Sequence, residues 1–338
     1  MEKTAATTTE DYLYSLGQLN LVYNYDFRYF SNQDGTNYGT PDGWVYTDSG
    51  TNGSINFDPS SNQCIITKSE GTESMTFTQA LHEFPRWQQM LLGETVTGKI
   101  KLNTDKDDVV NVTLSDGISS FTGSTLKKGN AEIDLQLNIN NAATELTLTI
   151  ESTAPFVEVS LRSCNVNIGD VSIPNLPCVV NGIIGERKQY IATENPPAEE
   201  LSLCNAPIEL DENQTRLNSV LNGRFGIGNN GNSLLLDMRG YFSRAWDNGS
   251  TIDPNATDRT IPGKGTLTGD HVSTFEQDDF LKHDHGLDFT VSTAQSTTGG
   301  TGPNTNLVSS PASKTNEEAN GKETRPKNIY ELYTIKWA

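Results

Sequence analysis

A chain of 338 residues with a formal net charge of −19 is long enough for more than one domain, and it is poorly suited to nucleic acid or anionic lipid, both of which are recognised through basic patches. Apolar residues make up 34% and charged residues only 20%, and Ser, Thr, Asn, Gly and Gln dominate the rest, the balance of an all-β chain with many turns. No stretch approaches the roughly 20 apolar residues of a membrane span, and the opening MEKTAATTTEDY lacks the basic and apolar segments of a signal peptide, so synthesis in a cytoplasm without general secretory export is expected.

Residues 1–17 are polar, with a short helix expected over Asp11 to Leu16, and read as an N-terminal attachment segment. Residues 18–172 read as an antiparallel β-sandwich. Val96, Ile100 and Leu102 share one phase of an alternating run; Val110, Val112 and Leu114 repeat it. Further runs lie at Ile133 to Ile139, Leu146 to Ile150 and Val157 to Leu161, separated by turn signals such as Ser115-Asp-Gly and Lys128-Gly-Asn. Period-2 alternation buries one face of a strand and wets the other. Aromatic residues gather early in this half: Tyr25, Phe27, Tyr29, Phe30, Trp44, Tyr46 and Trp87. An exposed ring can stack on the C–H face of a sugar. Trp44, in TPDGW, is expected in the core, whereas Trp87, in the polar stretch FPRWQQ, and Tyr46 are the candidate glycan-binding residues.

Five prolines between 171 and 207 mark a change of register, and 173–196 reads as a linker. A helix is expected after it, with Asp211 and Gln214 as a capping box, Leu217, Val220 and Leu221 as its apolar stripe and Gly223 at its end. Gly226-Ile-Gly-Asn-Asn-Gly231 has the letters of a dinucleotide-binding loop but follows a helix where that fold needs a strand, so it reads as a glycine-rich turn. The acids Glu276, Asp278, Asp279 and Asp284 read as solvated, and no HExxH, GxSxG or P-loop is present, so no enzymatic activity is expected. The cysteines Cys64, Cys164, Cys178 and Cys204 are scattered and read as reduced thiols.

His283 and His285 stand one residue apart in QDDFLKHDHGL. On an extended segment both imidazoles face one side, but two ligands cannot complete a metal shell. Either they are ordinary polar residues or the missing ligands come from other chains; three copies on an axis would supply six nitrogens. Residues 292–322 are nearly all Ser, Thr, Gly, Asn, Pro and Ala and read as a long distal loop, before an apolar segment from Ile329 to Trp337.

Several motifs between 197 and 338 resemble, in order, those of the collar-type receptor-binding domain of phage tail fibres. Pro197-Ala-Glu-Glu-Leu-Ser-Leu-Cys204-Asn is similar to its entry motif, without the usual Gly-Trp. Leu217 to Gly226 is similar to its short helix and following glycine. Leu236-Asp-Met-Arg-Gly-Tyr-Phe-Ser-Arg244 is similar to P-D-L-R-G-x-F-x-R, with Leu236 in place of proline. Gln277 to His285 resembles its His-x-His region, and Glu323-Thr-Arg-Pro-Lys-Asn328 its closing E-x-R-P-x-N. Residues 18–170, with NLVYNYDF and PDGW, resemble a jelly-roll carbohydrate-binding module.

The resemblance implies a mainly β protein: a jelly-roll sandwich followed by a trimeric, intertwined β-rich collar domain with one short helix. It implies a non-enzymatic tail-fibre protein of the virion, attaching to host surface polysaccharide or lipopolysaccharide and joined to a fibre or baseplate protein through its N-terminus. It also implies one metal ion per homotrimer, held on the axis by His283 and His285. Iron or zinc is what the family points to; six nitrogens suit iron or nickel better than zinc, and iron is expected. The alternatives are a carbohydrate-binding module of a secreted glycan-degrading system and a structural fibre or baseplate connector.

Overall fold

The computed structural model describes residues 18–33, 38–277 and 328–338. The protein is mainly β. Its first half is a jelly-roll sandwich of two five-stranded antiparallel sheets. The first sheet has the order β1 (Val45–Asp48), β4 (Met75–Ala80), β9 (Thr147–Ser152), β6 (Asn111–Ser115), β7 (Ser120–Ser124). The second has the order β2 (Gly53–Asp58), β3 (Gln63–Lys68), β10 (Val157–Ile168), β5 (Thr95–Thr104), β8 (Gly129–Asn138). The runs expected to alternate fall in β5, β6, β8, β9 and β10, and their apolar phase points between the sheets: Ile100, Leu114, Leu135, Leu148 and Val159 are all buried. The ladder between β10 and β5 slips between Leu161 and Ser163, a bulge that leaves Arg162 outside the pairing.

The stretches NLVYNYDF and PDGW are structural. The Asn20 carboxamide oxygen accepts from the amides of Val22 (3.1 Å) and Val166 (3.0 Å). That of Asn24 accepts from Arg28 (2.7 Å) and Tyr29 (3.1 Å), and its Nδ2 donates to the Asp42 carbonyl (3.1 Å). Trp44 is fully buried and lies parallel to Phe77, ring centroids 4.4 Å apart, as its expected core role requires. Gly43 has φ +84°, and a Cβ there would run into the Tyr23 ring, so this turn needs glycine.

The sandwich continues into a second lobe. The stretch 173–196, expected as a linker, carries β11 (Arg187–Tyr190), which pairs with β13 (Leu332–Lys336) in a three-stranded antiparallel sheet of order β11-β13-β12, β12 being Glu200–Ser202. The apolar tail therefore rejoins the fold as the central strand. A five-residue helix, α1 (Trp87–Leu91), follows β4, and α2 (Thr215–Leu221) is the helix expected near Leu217. Leu217, Val220 and Leu221 are buried against Val180, Ile184, Leu235 and Ile335, which stabilises by roughly 1.5–3 kcal/mol per side chain relative to exposure. Asn222, at φ 45°, and Gly223, at φ 70°, end the helix.

The expected capping box is only half present. Gln214 Oε1 accepts from the Asp211 amide (3.1 Å), but the Asp211 carboxylate accepts from Asn213 and not from the helix. The cap comes from the sandwich: Glu83, 1% exposed, accepts from the amides of Thr215 (2.6 Å) and Arg216 (2.9 Å). Arg216 is itself fully buried and donates to the carbonyls of Leu21 (3.0 Å) and Glu83 (3.3 Å). Ser219 Oγ accepts from the Gly43 amide at 2.8 Å, and Tyr23 of the sandwich belongs to the second core. The two lobes share a buried joint.

Gly226–Gly231 is the turn its context suggested: Ile227 bridges Ser233, and the Gly228 amide reaches the Asn232 carbonyl at 2.8 Å. All four cysteines are free, with Cys64 and Cys164 fully buried. Among the described residues no helix is long and apolar enough to cross a membrane.

Glu200 ties the small sheet together, accepting from Lys188 Nζ (2.9 Å), Tyr190 Oη (2.9 Å) and the Thr334 hydroxyl. Burial pushes its carboxyl up, but the bonds from Thr334, Lys188 and Tyr190 together outweigh that and hold it below the usual glutamate range. A carboxyl whose folded value lies below its unfolded one contributes stability that is present above the unfolded value, about 4.3, and is lost as pH falls through the folded value. The wild-type protein should therefore lose stability more steeply than Glu200→Gln as pH falls from about 5 to 3. Urea unfolding at stepped pH checks this; parallel curves would remove Glu200 from the acid sensitivity.

Candidate functional site

The two outer faces of the sandwich differ in chemistry. On the second sheet, Lys99 pairs with Glu132 (3.2 Å) and Asp134 (3.1 Å), and Lys101 with Glu132 (3.3 Å). Exposed ion pairs of this kind contribute about 0–1 kcal/mol and mark an ordinary solvated face.

The first sheet has almost no charge outside. Met75, Phe77 and Gln79 are buried, so Thr76, Thr78 and Ala80 face outward, and each neighbouring strand repeats the alternation. The ladder register then assembles cross-strand rows. One runs Val45, Thr78, Thr149, Thr113, Thr122; the next runs Thr47, Thr76, Glu151, Asn111, Ser124; the third runs Ala80, Thr147, Ser115, Ser120. Neighbours in a row are linked through their hydroxyls: Thr78 to Thr149 (3.2 Å), Thr47 to Thr76 (3.0 Å), Thr113 to Thr122 (2.9 Å), and Ser124 Oγ donating to Asn111 Oδ1 (2.6 Å). Glu151 is the single ionisable group in these rows and accepts from Ser74 Oγ.

A hydroxyl has one donor and two acceptor positions, so each linked pair keeps unused capacity toward solvent or a ligand. Neighbours about 4.8 Å apart from strand to strand within each row make a regular hydrogen-bonding surface with Glu151 as its one ionisable group. Contacts to such a face would be additive over many weak hydrogen bonds.

The candidate aromatic residues separate. Tyr46 is opposite Phe77 in the β1–β4 register and turns inward. Its hydroxyl is buried without a partner, and burial, with a smaller contribution from Asp48, pushes its pKa up to about 12. The ring itself is half-buried, packed against the sandwich core. Trp87 opens α1, half-buried, its ring edge-on to His82 at 5.2 Å. His82 Nδ1 accepts from the Leu146 amide (3.0 Å), which places Trp87 at the end of the first sheet where Ala80 and Thr147 lie. A further aromatic group, Phe30, Tyr38 and Phe57, has ring centroids 4.9–5.4 Å apart beside the edge strand β2. Phe30 was visible in the early aromatic cluster; Tyr38 and Phe57 join it only through the fold.

His283 and His285 lie outside the described residues, as do the expected distal loop 292–322 and the attachment segment 1–17. Among the described residues no group of three or more His, Cys, Asp or Glu could hold a metal ion. Glu276, read as a solvated acid, is engaged by Arg259 (3.0 Å) and Arg244 (3.4 Å).

No family model matches the sequence. Protein RhiB of Rhizobium leguminosarum bv. viciae is 28% identical over 166 residues, spanning 48% of this chain and 75% of RhiB. Among solved structures, TmCBM61 in complex with β-1,4-galactotriose is similar over 44% of this chain and 97% of its own, at 14% identity and a TM-score of 0.32. A CBM4 structure is similar over 44% of this chain and 99% of its own, at 15% identity and a TM-score of 0.32. The enzymatically active domain of bacteriophage CBA120 tailspike protein 4 is similar over 45% of this chain and 22% of its own, at 8% identity and a TM-score of 0.34. Likeness at this level establishes neither a family nor a ligand for this chain.

Proposed function

We propose that this chain is a non-enzymatic receptor-binding protein of a phage tail fibre or a related contractile particle, and that the outer face of its first sheet holds a bacterial surface polysaccharide or lipopolysaccharide. The observation that carries the reading is the neutral hydroxyl array of that face, with Trp87 at one end, opposite a second sheet whose outer face is laced with ion pairs. Many hydroxyls in register suit a ligand that is itself a row of hydroxyls. The particle assignment rests on the collar-like motifs between 197 and 338. In the assembled particle three copies associate, made in the host cytoplasm and anchored through residues 1–17. His283 and His285 of each copy supply imidazole nitrogens to one shared ion, iron in preference to zinc or nickel. The same sandwich would serve a secreted glycan-degrading system, and assembly separates the two: a trimer with one metal per three chains belongs to a fibre, a metal-free monomer to a binding module.

The test combines light scattering and elemental analysis with a bacterial surface glycan array. The variant T78V/T149V/T113V removes three hydroxyls and keeps the β-branched shape. Each lost hydrogen bond weakens binding by roughly 0.5–1.5 kcal/mol, so the affinity for the recognised glycan should fall about tenfold or more with the melting temperature unchanged. Equal binding by variant and wild type would remove this face from recognition.

A further inference from the structure

The second lobe carries a cleft that the sandwich does not account for. Every side chain from Tyr241 to Trp246 is exposed, and the Trp246 indole, 52% exposed, stands at the wall of a depression that Arg244, Asp253, Arg259, Asp270 and His271 also line. Its geometry is built. Trp246 Nε1 donates to the Asp270 carbonyl (3.2 Å), so the ring is tethered by its polar edge. The Asp247 carboxylate accepts from Ser250 Oγ (2.8 Å) and from the amides of Thr251 (2.9 Å) and Asp253 (2.8 Å), which folds the 247–253 turn beside it. Asp270 Oδ2 accepts from the Gly249 amide at 2.6 Å.

The floor is an alternating ion cluster. Arg259 reaches Asp253 (3.1 Å) and Glu276 (3.0 Å) and donates to the Thr274 carbonyl (3.0 Å). Arg244 reaches the same two acids at longer range, 3.5 and 3.4 Å, with half its side chain in solvent. With Nε also donating to Thr274 Oγ1 (3.3 Å), four of the five Arg259 donors are engaged. Arg244, Asp270 Oδ1 and the His271 imidazole, which has no hydrogen bond among the described residues, keep capacity facing the cleft.

We infer that this cleft is a second saccharide subsite, taking one neutral pyranose whose C–H face stacks on Trp246 and whose hydroxyls meet Arg244, Asp270 and His271. It shares with the proposed function only the class of ligand. An exposed indole fixed beside pre-ordered polar groups loses little conformational freedom on binding, which is what weak stacking needs to give measurable affinity. The charge balance selects the sugar. Three acids, Asp247, Asp253 and Asp270, line the cleft with two arginines, and Glu276 pairs with both arginines beside it, so an anionic sugar meets a net negative wall.

Saturation-transfer NMR on the full-length protein, with methyl glycosides of glucose, galactose and mannose and with methyl glucuronide, tests this. At least one neutral glycoside should bind the wild type. Its affinity should fall at least tenfold in Trp246→Ala and drop also in His271→Ala, and the uronide should bind at least tenfold more weakly than the neutral sugars. T78V/T149V/T113V should retain the monosaccharide signal while losing glycan-array binding, so failure here and failure of the sandwich face read differently. No neutral glycoside bound by wild type, equal binding by Trp246→Ala, or a uronide bound as tightly as the neutral sugars overturns the inference. So does a Trp246→Ala variant that changes its mass by light scattering with sugar binding intact, which would make the cleft a contact between copies.

Discussion

Glu83→Ala is expected to destabilise the protein by about 3–5 kcal/mol, the range for removing one member of a buried charged pair. The carboxylate is 1% exposed and accepts from the first two amides of α2 and from the Thr215 hydroxyl, while Arg216, fully buried, lies against the same loop. Removing it strands two helix amides and takes away the opposing charge near a guanidinium that hydrogen-bonds only to the Leu21 and Glu83 carbonyls and whose Nε lacks a partner. Burial alone already pulls the Arg216 guanidinium pKa down, and Glu83 is the largest opposing influence. The double variant E83L/R216M, which removes both charges, should recover part of the loss. Guanidinium unfolding followed by tryptophan fluorescence reads this. The wild type should unfold in one transition through the shared joint, and Glu83→Ala in two. A shift below about 1 kcal/mol would mean the joint is not held electrostatically.

Trp44→Ala should cost a comparable amount, about 3–5 kcal/mol, by leaving a cavity in a core too rigid to collapse around it. Trp44 lies parallel to Phe77 at 4.4 Å and within 5.7 Å of Phe27, between two sheets whose registers are fixed along their length. Trp44→Phe keeps a ring against Phe77 and should lose less than about 1.5 kcal/mol. Equal losses for the two variants would show that ring volume is not what this position contributes.

The β-sandwich was legible because half-buried strands write their burial into every second residue. Val96, Ile100 and Leu102, or Leu146, Leu148 and Ile150, announce a face without any knowledge of their partners. The complementary phase, Thr76 and Thr78 or Thr147 and Thr149, was equally present in the sequence. It becomes a surface only once register sets Thr78 beside Thr149 and Thr149 beside Thr113, and register is a long-range property. The true cap of α2 was hidden for the same reason. Gln214 stands three residues after Asp211, as a capping box asks, but Glu83 lies 132 residues from the amide it serves. Tyr46 stands opposite Phe77 on the inner phase of a short edge strand, a placement that its neighbours in the sequence do not mark. The Trp246 cleft had no periodic signal at all, since it is made of turns and side-chain bonds.

The order of strands in the small sheet also sets an order of birth. β12 and β11 can pair with nothing until β13 arrives; Glu200 and Thr334, joined there, are 134 residues apart. At a synthesis rate of about 5–20 residues per second, the emerging chain spends roughly ten seconds or more with all ten sandwich strands made and its second lobe unclosed. During that interval Leu203, Leu217 and Leu235 lack the strand that carries Ile335, one of their companions in the finished core. The nascent protein is thus a folded head trailing an unfinished body, and any association between copies through the second lobe is timed by the making of residues 332–336.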